Sequence, residues 1–155
     1  MNAPWSLASM DEGRTPTALP MPVTSIGAAR VLVVEDNLMS QEIMATILRY
    51  AGYDVTVVAD GQAALEAVQG SDFNLVLMDL EMPVMGGIEA ARRIRELGGR
   101  VGRIPIVAVT AQSTGGEVVE HCRCAGMDDF LTKPTGMRRV LQVAAQWTGG
   151  AEAAD

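Results

Sequence analysis

The feature that most constrains this sequence is an apolar run that ends in an acid and is followed by residues that break regular structure. Residues 75–78 read Leu-Val-Leu-Met, Asp79 comes next, and Pro83 and the pair Gly86-Gly87 follow shortly. A short continuous apolar run is typical of a strand buried on both faces. We therefore expect Asp79 at the carboxyl edge of a sheet, where ligands collect in open α/β folds. An Asp after a strand is also a common turn former or helix cap, so Asp79 alone leaves both interpretations open.

Composition narrows the class of protein. The chain has 155 residues and a net charge of −7, which suits one domain with a full core and disfavours a nucleic-acid surface. No apolar segment approaches the length of a membrane span, and no apolar stretch after Met1 resembles a secretory signal. Cys122 and Cys124 are separated by one residue, which is too close for an ordinary structural disulfide, and no second group of Cys or His residues completes a zinc site. We expect a cytoplasmic protein that binds neither nucleic acid nor membranes.

Strand and helix patterns alternate along the chain. Apolar runs predict strands over residues 31–34, 55–58, 73–78, 104–109 and 128–132. Helical spacing predicts helices over residues 38–50, 61–69, from Ile88 to Gly98, and over about 114–124 and 136–147. We expect the first helix to bury Ile43, Met44, Ile47 and Leu48, and the last to bury Met137, Val140, Leu141, Ala144 and Trp147. Right-handed crossovers between such strands give a parallel sheet with helices on both faces.

Polar side chains follow four of the predicted strands where each strand ends, namely Glu35 and Asp36, Asp79, Thr110, and Lys133. Parallel strands bring these groups to one edge of the sheet. Clustered carboxylates repel one another unless a cation joins them, and oxygen ligands suit Mg²⁺. A phosphoryl group arriving at Asp79 needs charge neutralisation, which a metal and Lys133 supply, and a hydrogen bond, which Thr110 can donate. Taken singly, the acids could instead be helix caps, Thr110 a strand-end hydroxyl and Lys133 a solvated charge.

Together these segments resemble the receiver domain of two-component response regulators, from about Arg30 to Trp147. The matching segments are Val33-Val34-Glu35-Asp36-Asn37, residues 78–87 (Met-Asp-Leu-Glu-Met-Pro-Val-Met-Gly-Gly), Val109-Thr110-Ala111, and residues 125–134 (Ala-Gly-Met-Asp-Asp-Phe-Leu-Thr-Lys-Pro). The sequences around Asp79 and Thr110 are most similar to those of receivers attached to hybrid histidine kinases. The resemblance implies a flavodoxin-like (βα)5 fold, a doubly wound parallel sheet of five strands in the order 2-1-3-4-5.

The resemblance also implies a role for each matching position. Asp79 resembles the phosphoacceptor. Glu35 and Asp36 resemble the acid pair that holds Mg²⁺, with Asp79 and the backbone carbonyl of Glu81 as further ligands. Thr110 resembles the hydroxyl that moves toward the phosphoryl group, and Lys133 resembles the cation that bridges to it. Phe130 matches the aromatic switch position, and the peptide bond before Pro134 is typically cis in that family.

Two positions depart from the family pattern. Glu35 stands where many members have Asp, so a longer side chain enters the metal site. Phe130 replaces the Tyr found in some members, so a switching step that uses a hydroxyl is absent.

The implied function is transfer of a phosphoryl group from a phosphohistidine to Asp79 in a two-component system or phosphorelay. The chain would be a signalling phosphoacceptor that assists its own phosphorylation and dephosphorylation rather than an enzyme. Its partner would be a histidine kinase or histidine phosphotransfer protein, docking over the first helix and the loop after the fifth strand. Leu38 and Met39 are candidates for that contact, or they pack against the helix stripe. A downstream protein would bind the face formed by the fourth helix, fifth strand and fifth helix.

Two alternative functions stay open. Haloacid-dehalogenase-like phosphatases also combine a strand-end Asp with Mg²⁺, a hydroxyl and a Lys, but their nucleophile lies on the first strand. A degenerate receiver would bind partners without phosphorylation.

We expect a flexible N-terminal tail over residues 1–28, the receiver domain over 29–148, and a flexible end or linker over 149–155. The receiver is then either a stand-alone protein or a part of a hybrid kinase.

Overall fold

A computed structural model of the chain describes residues 28–82, 84–111, 116–133 and 136–148. The elements are β1 (Arg30–Val34), α1 (Leu38–Tyr50), β2 (Asp54–Val58), α2 (Gly61–Gly70), β3 (Leu75–Asp79), α3 (Gly87–Glu96), β4 (Ile106–Thr110), α4 (Gly116–Cys124), β5 (Asp129–Thr132) and α5 (Met137–Thr148), with a 3-10 helix, Val101–Arg103, before β4. The five strands are parallel and lie in the order β2-β1-β3-β4-β5, which confirms the predicted fold.

Several predictions fall on residues outside those ranges. They are the tail before residue 28, the start of the fourth helix near Thr114, the peptide bond to Pro134, and residues 149–155. The domain boundaries therefore stay predictions. Among the described residues, no helix combines the length and the apolar composition that a membrane crossing requires.

Of the interior strands, β3 and β4 are buried along their whole length and β1 is buried after Arg30, because helices cover both faces of the sheet. Alternate side chains point to opposite faces. Leu32 and Val76 face a core shared with α2, α3 and α4, whereas Val31 and Leu75 face a core shared with α1 and α5. No residue of β3 or β4 is exposed, which explains their unbroken apolar sequence.

Asp79 and Thr110 belong to their strands rather than following them. Asp79 is paired with Val109, and Thr110 with Thr132. The ladder continues past Asp79, since the Leu80 N–H donates to the Val109 carbonyl at 3.1 Å. The predicted end of the third strand at Met78 is therefore one residue early. The backbone that carries both polar side chains is thus fixed by sheet hydrogen bonds.

Two apolar residues that we predicted to be buried are exposed. Ile43 is 52% exposed and Met137 is 55% exposed. The buried face of α1 is centred on Met44, Ala45 and Leu48, so Ile43 lies at its margin. Met137 is the first residue of α5, whose buried residues begin at Val140. Helical spacing gave the period of each stripe correctly but not its edges.

The loop after β3 is held against the sheet and α2 by two close backbone approaches. A Cβ atom built at Gly87 would lie 2.2 Å from the Asp79 carbonyl oxygen, and one at Gly61 would lie 2.5 Å from the Met85 carbonyl oxygen. The Gly61 N–H also donates to that Met85 oxygen at 3.1 Å. Between these points Val84 has a φ of 69°, a left-handed conformation that β-branched residues rarely adopt.

We expect Gly87→Ala to destabilise the protein far more than Gly70→Ala. Both glycines lie in helices, but a Cβ at Gly70 meets nothing within 4 Å, whereas one at Gly87 meets the backbone of Asp79. Overpacking of this kind costs about 1–3 kcal/mol, while the Gly70 change should be neutral or stabilising by up to about 1 kcal/mol. Urea unfolding measures both free energies. Equal effects would show that the loop adapts without cost.

Candidate functional site

The carboxyl edge of the sheet brings the predicted polar side chains together. Glu35 follows β1, Asp79 ends β3, Thr110 ends β4 and Lys133 follows β5. The Lys133 N–H donates to the Thr110 carbonyl at 2.7 Å, so the backbone of this lysine is anchored to β4. Glu35, Asp79 and Thr110 are the buried polar residues of the described chain. Burying such groups is costly unless they have partners, so their arrangement demands an explanation.

Lys133 is the partner that two of these groups share. Its Nζ lies 2.9 Å from Glu35 Oε1 and 3.3 Å from Asp79 Oδ2. Both carboxylates are almost fully buried, whereas the lysine side chain is one-quarter exposed. The ammonium therefore balances two carboxylates that would otherwise repel each other in a site with little water.

The acids form a cluster of the kind that binds a divalent cation. Oxygens of Glu35, Asp36 and Asp79 all lie within 4.8 Å of one another, and Asp36 is the exposed member. The Glu81 N–H donates to Asp79 Oδ1 at 3.2 Å, which holds the backbone of Glu81 beside the cluster. Carboxylates together with a backbone carbonyl fit the hard oxygen ligands that Mg²⁺ prefers. The residues present can therefore hold such an ion.

Burial and the neighbouring charges shift two pKa values in this site. Burial raises the pKa of Glu35, and Asp79 raises it further, while Lys133 and the Asn37 N–H act in the opposite direction. For Lys133, burial alone lowers the pKa, but Glu35 and Asp79 together outweigh burial and raise it. Lys133 is therefore a permanent cation at neutral pH, and Glu35 takes up a proton more readily than an ordinary glutamate.

Two residues whose roles the sequence analysis did not give hold the loop after β1, namely Asn37 within the loop and Gln41 in the first turns of α1. Asn37 caps α1, since its Oδ1 accepts from the Ser40 N–H at 2.9 Å, and its own N–H donates to Glu35 Oε2 at 3.2 Å. Gln41 Nε2 donates to the Glu35 backbone carbonyl at 2.5 Å. Asn37 is a common cap residue, so its capping role was open to prediction. The contact of Gln41 with a carbonyl six residues earlier has no sequence signature.

Thr110 and Phe130 lie on neighbouring strands. Thr110 is buried at the end of β4, and Phe130 pairs with Ala108 in the β4–β5 ladder. Phe130 is partly buried and packs against the core beneath α4. The two predicted switch residues are thus connected through adjacent strands.

Exposed apolar side chains cover the start of α1 beside the acid cluster. Leu38 is 78% exposed and Met39 is 72% exposed, so the alternative that they pack against the helix stripe is wrong. A cleft of about 430 Å³ opens nearby. Ile43, Ile47 and Val140 form its apolar side, and Glu35 and Lys133 reach it from the acid cluster. An apolar surface that continues into a reactive site is typical of a place where a partner docks.

Comparison with known proteins finds relatives that match most of the chain. The family model described as "Response regulator receiver domain" matches residues 31–145. The sensor protein GacS of Pseudomonas syringae pv. syringae is 42% identical over 130 residues, which cover 83% of this chain and 14% of that protein. The sensor kinase/phosphatase CqsS of Vibrio cholerae is 36% identical over 76% of this chain and 17% of its own length. The chain thus spans about one-sixth or less of these relatives.

Solved structures show the same similarity. The receiver domain of the sensor histidine kinase PA1611 of Pseudomonas aeruginosa, solved with a magnesium ion coordinated in its active-site cleft, is 36% identical, with a TM-score of 0.72 over 79% of this chain and 99% of that one. The receiver domain of Ssk1 of Saccharomyces cerevisiae, solved with the histidine phosphotransfer protein Ypd1, is 29% identical, with a TM-score of 0.74 over 83% and 94%. The chain therefore belongs to the response regulator receiver domain family, whose members serve as phosphoacceptors in two-component signalling.

Proposed function

We propose that this receiver accepts a phosphoryl group on Asp79 from a phosphohistidine of a partner protein, with Mg²⁺ bound by Glu35, Asp36, Asp79 and the carbonyl of Glu81. The observation that carries the proposal is the position of Lys133 Nζ, within hydrogen-bonding distance of Asp79 Oδ2 and Glu35 Oε1. A cation beside a buried acceptor carboxylate can neutralise an incoming phosphoryl group.

In the transfer step, an oxygen of Asp79 attacks phosphorus as the bond from phosphorus to the imidazole nitrogen breaks. The electron pair of that bond stays on the imidazole, and an acyl phosphate forms on Asp79. Bound Mg²⁺ supplies further neutralisation of the phosphoryl charge. Lys133 is already charged and anchored, so little reorganisation precedes the reaction. Water later hydrolyses the acyl phosphate, and the chain turns over no separate metabolite.

The phosphoryl group then changes the protein surface. Thr110 moves toward it and donates a hydrogen bond, and Phe130 follows through the adjacent strand. The face formed by α4, β5 and α5 changes and binds a downstream protein. Phe130 lines a small cavity together with Val119 and Cys122 of α4, which supports a response of this surface to movement of the aromatic ring.

The phosphodonor is a histidine kinase or a histidine phosphotransfer protein that docks over α1. The exposed side chains of Leu38, Met39 and Ile43 lie beside the acid cluster, which supports this surface. The family assignment and the first-strand position of the acid pair favour this function over a haloacid-dehalogenase-like phosphatase, and the presence of all five polar residues disfavours a degenerate receiver. The free thiols of Cys122 and Cys124 fit a reducing cytoplasm.

Incubation with acetyl phosphate and Mg²⁺ should add one phosphoryl group at Asp79, detected by intact-protein mass spectrometry. We expect Asp79→Asn to abolish uptake, because an amide oxygen is not a nucleophile of this kind. Lys133→Met should slow uptake about a hundredfold, because removing one group that stabilises the charge of a transition state commonly costs an enzyme about that factor in rate. Asp54→Asn is the control and should leave uptake unchanged, because Asp54 is the first residue of β2 and lies at the amino end of the strands, away from Asp79. Uptake by Asp79→Asn at the normal rate would contradict the proposal.

The raised pKa of Glu35 predicts how the stability of metal-free protein depends on pH. A carboxyl whose folded pKa exceeds its unfolded value of 4.5 binds its proton more tightly when folded. The free energy of unfolding in EDTA should therefore decrease as pH rises from about 4.5 through the folded pKa. Glu35→Gln should lack this contribution, so the difference between the two proteins isolates it.

Saturating Mg²⁺ should oppose that decrease, because the cation binds the ionised carboxylate of the folded state. Urea unfolding at several pH values, with EDTA and with Mg²⁺, measures both effects. If wild type and Glu35→Gln show the same pH dependence in EDTA, Glu35 is not the titrating group.

Docking over α1 can be tested separately from the chemistry. We expect Ile43→Ser to slow transfer from a phosphorylated histidine phosphotransfer protein about tenfold, since loss of one large apolar contact weakens an interface by about 1–3 kcal/mol. The rate with acetyl phosphate should be unchanged. Leu97→Ser, an exposed leucine at the end of α3, is the matched control. Equal transfer rates for the two variants would place the docking surface elsewhere.

A further inference from the structure

Two hydrogen bonds hold the backbone around Glu35, one to each of its two peptide units, and only the second holds the peptide unit between Glu35 and Asp36. The Glu35 N–H extends the β1–β2 ladder and donates to the Val58 carbonyl at 3.0 Å. The Glu35 carbonyl lies past the end of β1 and accepts from Gln41 Nε2 at 2.5 Å. Gln41 lies in the first turns of α1 and is partly buried. A side chain on a helix thus holds the carbonyl where the strand ends.

The direction of that carbonyl determines the direction of Asp36. The carbonyl of Glu35 and the N–H of Asp36 belong to one planar unit, so only ψ of Glu35 and φ of Asp36 can reorient it. If the carbonyl rotates, the Cα–Cβ bond of Asp36 rotates as well. The bond from Gln41 restricts this rotation because it ties the plane to the regular backbone of α1.

Asp36 depends on its backbone more than the other acids of the cluster do. Glu35 is held by Lys133 and the Asn37 N–H, and Asp79 by Lys133 and the Glu81 N–H. The Asp36 carboxylate is exposed and makes no hydrogen bond or ion pair with any residue that the structure describes. Its oxygen nevertheless lies within 4.8 Å of those of Glu35 and Asp79. Backbone geometry is what keeps it there.

We propose that Gln41 is a positioning residue for the divalent cation, acting through the Glu35–Asp36 peptide to hold Asp36 beside Asp79. This inference rests on the metal site of the proposed function. Groups that orient metal ligands without touching the ion commonly change metal affinity by 10- to 100-fold when they are removed. Gln41 differs from the usual partners of a metal ligand because it holds the backbone before the ligand rather than the carboxylate itself.

The test compares Gln41→Met with Gln69→Met by calorimetric titration of each purified protein with Mg²⁺ alone. Methionine keeps the approximate length of the side chain but removes the donor. Gln69 Nε2 also donates to a backbone carbonyl, that of Leu65, but it does so on the exposed surface of α2. We expect Gln41→Met to weaken Mg²⁺ binding about tenfold and Gln69→Met to leave it unchanged.

Gln41→Leu supplies a second variant, which also removes the donor to the Glu35 carbonyl and adds no charge beside the acid cluster. It should weaken Mg²⁺ binding about as much as Gln41→Met, and it serves in place of Gln41→Met if that variant does not fold. The free energy of unfolding is measured for every variant. A purely structural role for Gln41 would lower stability without changing the Kd of the folded protein, and that result would overturn the proposal.

Asp36→Asn separates failure of this inference from failure of the proposed metal site. If Asp36→Asn weakens binding while the Gln41 variants bind as wild type, the metal site stands and the role of Gln41 is wrong. If Asp36→Asn also binds as wild type, the proposed metal site fails and the inference fails with it. If Gln69→Met weakens binding as much as Gln41→Met, the effect is not specific to the Glu35–Asp36 peptide and the inference is again wrong.

Discussion

The ammonium of Lys133 is the charge on which the whole carboxyl edge depends. Two nearly buried carboxylates lie beside it, and without a cation their mutual repulsion and lost hydration would drive one of them to stay protonated. The lysine is itself held by a backbone bond to the end of β4, so its position is set by the sheet. Lys133 therefore connects groups that follow or end three different strands, namely β1, β3 and β4. The site forms only when the sheet has brought these strands together.

The loops around this charge are anchored by several different contacts. The loop after β3 approaches α2 and β3 so closely at Gly61 and Gly87 that only glycine fits. Val84, in the same loop, occupies a left-handed conformation that a valine adopts only under constraint. The loop after β1 is held instead by side chains, those of Asn37 and Gln41. Rigid support of this kind lets an acidic cluster keep its geometry before a cation arrives.

The structure also clarifies what a glutamate does at the first position of the acid pair, where many receivers have an aspartate. The longer side chain reaches Lys133 with one oxygen and the Asn37 N–H with the other. It therefore joins the loop after β1 to the loop after β5 directly. Burial and Asp79 raise its pKa, so protonation of Glu35 weakens this connection at a higher pH than it would for an ordinary glutamate.

Much of this protein could be predicted from sequence, because parallel strands bury both faces and leave unbroken apolar runs that end at one edge. Those runs located the strands, and the residues at their ends were the candidate site residues Glu35, Asp36, Asp79, Thr110 and Lys133. Periodicity could not locate the margin of a buried stripe, so Ile43 and Met137 were wrongly placed in the core. The order of the strands followed from the resemblance to receiver domains, and the parallel sheet and the set of polar residues followed from the sequence pattern alone. The contacts of Lys133 with particular oxygens and of Gln41 with a carbonyl emerged from the folded chain, since both depend on distances between elements that no local pattern encodes.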